Sequence, residues 1–419
     1  MGVLEDAERA WTGELRVDDA HPLAGTGELV EVAGGVAFLH AFANVTAVST
    51  EGGLLMIDTG NPASAGWVHR TIRGWTLDRL HTAIFSHGHI DHVFGVGPFE
   101  EEARANRQTP PTVVAHQNVP LRFDRYRFTA GYNAVINRRQ FSASGLEWPT
   151  EYRYPDDTYR EALDVSVGDE LVHLRHARGE TDDATWTWLP HRRVLCPGDL
   201  FIWCTPNAGN PQKVQRYPDE WAAALRRMAS FGADVLLPGH GWPILGAERI
   251  RTALSHTAEL LESIVVQTIS VMNSGGRLDD AIHTVEVPDR LAGLPYLQPV
   301  YDEPEFIVRN VWRLYGGWYD GNPATLKPAR EAELAVELAE LAGGAGRLAA
   351  RARELAASGE HRLAGHLAET ARLAAPEDRD VLAAHAEVFG ARAEAERSTM
   401  AKGVYRWAAE ESRGEEPTA

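Results

Sequence analysis

Three histidines and an aspartate fall within six residues in Ser86-His87-Gly88-His89-Ile90-Asp91-His92, directly behind the apolar run His81-Thr-Ala-Ile-Phe85. Imidazole nitrogen and carboxylate oxygen are the ligand atoms of catalytic zinc, and a shell built only from them leaves positions open for water. Residues two apart on an extended segment share a face, so His87 and His89 can reach one cation. If the chain then turns toward a helix, Asp91 and His92 point at a second. A histidine-rich surface turn that binds nothing is the plainer alternative. The spacing HxHxDH behind a strand favours a dinuclear metal site.

Acids and histidines recur at other strand ends. Asp58 follows Leu54-Leu-Met-Ile57, Glu180 lies beyond Leu171-Val-His-Leu174, Asp199 follows Arg193-Val-Leu195, and His240 follows Val235-Leu-Leu237. With the His87–His92 motif these make five such termini in order, which implies a common rim. Each has a structural alternative: a strand-terminal cap for Asp58, a Gly-Asp turn for Asp199, a turn histidine in Pro-Gly-His-Gly for His240 and a solvated loop acid for Glu180.

The elements that must position these groups alternate between short β-type runs and helical segments. Val36–Leu39, Asn44–Val48 and Leu54–Ile57 read as strands, with a hairpin turn at Glu51-Gly-Gly53. A helix is expected from Asn61 or Ser64 to about Trp75, and further strands at 81–85, 112–116, 171–174, 185–188, 193–195 and 235–237. Helices are expected over 218–231 and 247–273. Residues 1–28 are weakly patterned and expected on the outside of the first domain; residues 117–167 show no sustained period and read as a long irregular insertion of the lid or binding-loop kind. Beyond Asp279 strand signals almost vanish. The blocks Ala345–Ala357, His361–Ala374 and Asp378–Phe389 carry apolar residues at helical spacing, suited to packing and self-association.

Composition narrows the partners. A chain of 419 residues with 44% hydrophobic and 24% charged residues can build two domains, here placed at 1–275 and 276–419. A net charge of −18 argues against nucleic acid and anionic membrane surfaces, while a metal pair would still admit an anionic small molecule locally. Two cysteines, Cys196 and Cys204, form no disulfide framework. With no basic-then-apolar start and no membrane-length apolar run, a cytoplasmic protein is expected.

The strand-end pattern over residues 30–245 resembles the metallo-β-lactamase superfamily. That resemblance implies a four-layer αβ/βα sandwich with two metals at one edge, followed here by an all-α domain. It implies that His87 and His89 hold the first ion, Asp91 and His92 serve the second, Asp199 bridges both and His240 completes the second, with Asp58 orienting ligand imidazoles. Where the superfamily commonly has His-x-x-Gly-His, this chain has His176-Ala-Arg-Gly-Glu180. Glu180 then takes the remaining position on the first ion, with His176 as substitute ligand the other reading. Zinc is the first choice for both divalent ions, and the added carboxylate admits iron or manganese.

Glutamate at that position is similar to the alkylsulfatase branch, and Leu314-Tyr-Gly-Gly-Trp-Tyr-Asp-Gly-Asn-Pro323 resembles the opening of its helical dimerisation domain. The resemblance implies a homodimer and a metal-dependent hydrolase in which a dimetal-bridged hydroxide cleaves a sulfate ester, with Asp91 orienting the hydroxide or shuttling its proton. The branch's sterol-carrier-like last domain has no counterpart in this sequence. Its His-Asn-Leu-Tyr-Thr-Leu-Arg-Gly stretch is replaced by Pro206-Asn-Ala-Gly-Asn-Pro-Gln-Lys213-Val-Gln-Arg216, which has no histidine. Asn207, Asn210, Lys213 and Arg216 are the candidates to clamp an anionic group, with Tyr132–Arg139 as a candidate lid and solvated loop residues as the alternative for each. A lactone, thioester or phosphoester is the rival substrate, and a helical interaction protein with an inactive metal domain is the reading from another class.

Overall fold

The computed structural model describes residues 2–143 and 145–414. They divide into two compact units: the first comprises Met1–Thr129 and Pro149–Gly317, the second Ala130–Trp148 and Trp318–Ala419. This division differs from the expected 275/276 boundary, since residues 276–317 lie in the first unit.

In that unit, β1 (Leu29–Ala33), β2 (Val36–Leu39), β3 (Val45–Thr50), β4 (Gly53–Ile57), β5 (Leu80–Ile84), β6 (Thr112–His116) and β7 (Asp157–Tyr159) form one sheet in sequence order. Pairing is antiparallel from β1 to β4 and parallel from β4 to β7. The second sheet runs β8 (Ala162–Val167), β9 (Glu170–His176), β10 (Thr185–Leu189), β11 (Val194–Ile202), β12 (Val235–His240) and β13 (Ile244–Leu245), with β11 and β12 parallel. Helices of this unit are α1 (Val3–Thr12), α2 (Ala65–Trp75), α3 (Gly97–Ala105), α4 (Asn118–Phe128), α6 (Pro218–Ala229), α7 (Ala247–Asn273), α8 (Leu278–Thr284), α9 (Asp289–Ala292) and α10 (Pro304–Gly316); α5 (Ala130–Phe141) belongs to the other unit.

Strand alternation sorts the side chains into layers. Val36, Phe38, Val48, Leu55 and Ile84 join Val172, Leu174, Trp186 and Leu195 in the core between the sheets. Ala37, Leu39, Val45, Ala47 and Met56, on the opposite face, pack under Val68 and Ile72 of α2. Trp221, Leu225, Leu254 and Leu261 of α6 and α7 extend the main core beyond the second sheet. The result is the four-layer arrangement expected. Covered on both faces, β11 is buried over all nine of its residues, as a strand between two layers must be.

Two expectations are corrected. Residues 1–28 contain α1, whose Val3, Ala7 and Ala10 enter the main core. The stretch 117–167 is not irregular: it holds α4, α5, β7 and β8. In α5 the helical period is hidden because much of the inward face is polar, with Asn133, Asn137 and Gln140 buried, while α4 buries Arg122 beside Val119, Phe123 and Tyr126. The lid candidate Tyr132–Arg139 is thus the middle of α5, in the helical unit.

The helical unit comprises α5, α11 (Pro323–Leu326), α12 (Glu331–Ala342), α13 (Ala345–Ala357), α14 (His361–Ala374), α15 (Arg379–Ala395) and α16 (Thr399–Arg413). Small side chains (Ala349, Ala352, Ala364, Ala368, Ala371 and Ala384) line its cores. Buried His385 ties three helices together, with Nε2 2.8 Å from Oε2 of Glu369 on α14 and Nδ1 2.8 Å from the Ser412 hydroxyl on α16. Hydrogen bonds from His385 and Arg372 hold Glu369 down at about 2 against an ordinary 4.5. A depressed carboxylate stabilises fully above its unfolded value and loses that contribution as pH falls through its folded one. Acid titration followed by circular dichroism is therefore expected to show helix loss between about pH 4.5 and 2 that is reduced in Glu369→Gln.

Candidate metal centre

The parallel strands β4 and β5 in one sheet, and β11 and β12 in the other, bring their carboxyl ends to one edge of the sandwich. There the chain places all seven expected ligand side chains. Ligand atoms of His87, His89, Glu180 and Asp199 lie within 4.8 Å of one another, as do those of Asp91, His92 and His240. Asp199 spans the two groups: Oδ2 is 3.7 Å from Nε2 of His87 and 3.3 Å from Nε2 of His240, while Oδ1 is 3.5 Å from Nε2 of His92. Oδ2 of Asp91 stands 3.5 Å from Nε2 of both His92 and His240.

Hydrogen bonds behind the cluster fix which atoms face it. Asp58, at φ 58° just past β4, accepts from the Ser86 backbone N–H and hydroxyl, both at 2.7 Å, and from Nδ1 of His92 at 2.8 Å. Since the Ser86 hydroxyl donates to Asp58, Nδ1 of His87, 3.0 Å from it, must be the donor of that pair. Nδ1 of His240 donates to the Phe42 carbonyl. All three rings thereby turn Nε2 inward as a bare acceptor. The Nε2 atoms of His87 and His92, Oε2 of Glu180 and Oδ1 of Asp199 are buried without a protein partner among the described residues. Leaving such atoms unpaired costs about 1–3 kcal/mol apiece. A divalent cation in each group satisfies them, so the residues fit a metal pair.

The electrostatics reflect this crowding. Burial, reinforced by His92, drives His87 down to about 4. Burial and the neighbouring His87, Arg122 and Arg216 hold His89 well below its usual range. Burial opposes ionisation of Asp199, yet His240, His92 and His87 keep it well below the usual carboxylate range. Glu180 goes the other way, raised by burial to about 8 despite Arg216.

The four residues expected around an anion divide. Nδ2 of Asn207 donates to Oε1 of Glu180, and buried Arg216 donates to the Glu180 carbonyl with its other terminal nitrogen 3.5 Å from Oε1. These two therefore engage Oε1 of Glu180, which also lies 3.9 Å from Nδ1 of His89, and leave Oε2 without a hydrogen-bond partner among the described residues. Asn210 uses Oδ1 to accept from the Gln212 backbone at 3.1 Å. Half-buried Lys213 is lowered to about 7 by burial and by Arg216. His176 lies elsewhere, stacked on His116 at 3.8 Å between ring centroids, with Nδ1 2.9 Å from the Ala184 carbonyl.

Sequence reasoning missed three supports. Asp183 receives the Gly88 N–H at 3.2 Å and Nε of buried Arg122 at 2.5 Å, and Arg122 also reaches Asp182. Asn44 ties the turn at His240 down, donating to the carbonyls of Pro238 at 3.0 Å and Gly241 at 2.9 Å. Gly239 is required beside Asp199, because a Cβ there would collide with Oδ1. The adjacent acids of Glu180-Thr-Asp-Asp were visible in the sequence, but their cationic partner on α4 was not.

Comparison with known proteins agrees with this geometry. The sequence model described as the metallo-beta-lactamase superfamily matches residues 41–240, and that for alkyl sulfatase dimerisation matches residues 277–415. The chain is therefore alkylsulfatase-like, similar to the metallo-β-lactamase superfamily over its first part and to the alkyl sulfatase dimerisation region over its helical part. It is 29% identical over 333 residues to a linear primary-alkylsulfatase of Pseudomonas sp., covering 75% of this chain and 62% of that protein. It is 26% identical over 343 residues to an alkyl/aryl-sulfatase of Saccharomyces cerevisiae, covering 75% and 53%. The solved structure of a stereoselective inverting sec-alkylsulfatase from Pseudomonas sp. superposes with a TM-score of 0.83 at 23% identity, covering 92% of this chain and 66% of that one. The chain thus spans less than two thirds of the length of these relatives.

Arg122 and Asp183 form a buried pair in which each charge needs the other. Arg122→Ala is expected to cost about 3–5 kcal/mol of unfolding free energy, and Arg122→Ala with Asp183→Ala less than the sum of the singles. Denaturant melts of the three variants measure this; additive losses would refute the coupling.

Proposed function

We propose that this chain is a metal-dependent hydrolase of sulfate esters. The observation that carries the reading is the convergence of buried, unpartnered ligand atoms into two groups that share Asp199, in a chain whose relatives include alkylsulfatases. His87, His89, Glu180 and Asp199 would hold one ion, and Asp91, His92, His240 and Asp199 the other. Zinc is the first choice, with iron or manganese the alternatives that Glu180 admits. When bound, such a pair supplies hydroxide from water near neutral pH and takes up charge developing on the scissile group.

The chain's own residues would do the rest. Asp91 is the most exposed carboxylate of the cluster, its side chain 20% accessible against 9% for Asp199 and 4% for Glu180. That exposure suits it to orient the attacking oxygen and pass a proton to solvent. Three carboxylates and the hydroxide offset the four positive charges of two divalent ions, so the field that favours an anionic ester falls to nearby cations such as Arg216. Lys213 adds to that field. Asn207, Asn210 and Arg216 complete the proposed surroundings of the sulfate, two of them from positions already fixed on Glu180. The helical part, read from the sequence as residues 276–419, is taken as a homodimer contact, supported by the dimerisation match over 277–415. Buried free Cys196 and Cys204 suit a reducing cytoplasm. No helix among the described residues is long and apolar enough to cross a membrane.

A second reading, hydrolysis of a lactone, thioester or phosphoester, is favoured by the absence of histidine from residues 206–216. Elemental analysis of the purified chain is expected to find two divalent ions, and Glu180→Ala one fewer. Chelation should abolish turnover, and in a panel of alkyl sulfates, lactones and phosphodiesters the sulfates should be cleaved fastest. Turnover surviving thorough chelation would overturn the mechanism; a phosphodiester or lactone preference would overturn the substrate.

A further inference from the structure

Glu180 is held by Asn207 and Arg216, and both belong to one loop, residues 205–216. Residues 297–313 fasten that loop at Thr205, Gly209, Asn210 and Arg216. Thr205 donates through its backbone N–H to the Gln298 carbonyl at 3.0 Å and through its hydroxyl to the Leu297 carbonyl at 2.7 Å. Asp302, with no exposed surface, accepts the Gly209 N–H on Oδ2 at 2.6 Å and the Glu303 N–H on Oδ1 at 2.8 Å, and its carboxylate also takes the backbone N–H of Asn210. Asn310, on α10, grips Arg216 at both backbone groups: Oδ1 accepts its N–H at 3.2 Å and Nδ2 donates to its carbonyl at 3.1 Å. Gly209 lies against the chain entering α10, where a Cβ would run into the backbone of Phe306 and Ile307.

A carboxylate buried this completely is costly, and burial pushes Asp302 up to about 7 despite its donors. Its chemistry explains its presence. Carboxylate oxygens only accept, so they can take several converging backbone N–H groups, whereas an amide would set an NH₂ against one of them. No other ionisable side chain is among its hydrogen-bond partners, so its bonds serve only the course of the 205–216 loop and the start of α10.

We propose that Asp302 and Asn310 are positioning residues for Glu180, acting through the loop that carries Asn207 and Arg216 and so setting how Oε2 of Glu180 meets the first ion. This rests on the dimetal reading above. It gives a role in the metal centre to residues inside the span matched by the dimerisation model, 277–415.

The test is zinc binding by the metal-depleted full-length chain, in competition with a chromophoric chelator, for Asp302→Asn, Asn310→Ala and Gly209→Ala. Gly209→Ala disturbs the same contact from the loop side, in case Asp302→Asn does not fold. Each is expected to weaken one of the two zinc ions about 10- to 100-fold and leave the other within about twofold. In a Glu180→Ala background the same substitutions should cause no further loss, because the residue they act through is gone. Equal weakening of both ions, unchanged affinity, or full additivity with Glu180→Ala would each overturn the proposal. A wild-type chain that binds no zinc would overturn the dimetal reading as well, and so the two failures are distinguishable.

Discussion

Four imidazoles and three carboxylates are packed into one edge of the sandwich with their ligand atoms facing each other and most of their surface buried. Desolvation alone would expel such a group from a protein interior. The fold tolerates it because each side chain is tied from behind, and because opposite charges within the cluster offset part of the cost. Asp199 is the centre of this balance: it is the one side chain whose two oxygens address both halves of the site. Everything else in the first unit, from the parallel strand ends to the turn at Gly239, serves to hold those atoms in convergence.

The supports are of two kinds. Neutral ones, such as the Phe42 carbonyl behind His240 and the Ser86 hydroxyl behind His87, set which ring nitrogen is bare. Charged ones, such as Asp58, the Arg122–Asp183 pair and Arg216, also move the field at the cluster. Arg122 and Asp183 are tied to each other before they touch the histidine loop, so the loop rests on a pair that is already neutral as a unit. The contrast between Glu180, pushed up, and Asp199, held down, follows from their surroundings: burial and the negative charge of Asp199 outweigh one guanidinium for the first, while three imidazoles outweigh burial for the second.

Much of this was readable in the residues themselves. A ligand motif leaves a mark in sequence when its members sit at short spacing behind an apolar run, as His87–His92 do, or follow such a run through Pro-Gly, as Asp199 and His240 do. Helical blocks with alanine and leucine at regular intervals were placed to within a few residues, and Ala345–Ala357 and His361–Ala374 match their helices end to end. The failures share a cause. In α5 the buried face includes Asn133, Asn137 and Gln140, and in α4 Arg122 is buried beside Val119, Phe123 and Tyr126, so polar residues break the hydrophobic period. Asp302 and Asn310 reach the site only through another loop, and a relation between residues about a hundred positions apart has no local signature. Asn207 and Arg216 were legible only as polar loop residues suited to an anion; that both also engage Glu180 shows in three dimensions alone.

The seating of α10 also bears on how such a protein can be taken apart. Leu291, Tyr296, Leu297, Ile307, Val308 and Val311 belong to the same apolar core as both sheets. A chimera or truncation drawn where the two matched families meet, near residue 277, would strip that core of a wall and leave the 205–216 loop without its moorings. The seam along which evolution or an engineer could exchange the helical part therefore runs past Gly317, some forty residues beyond the point at which the homology changes.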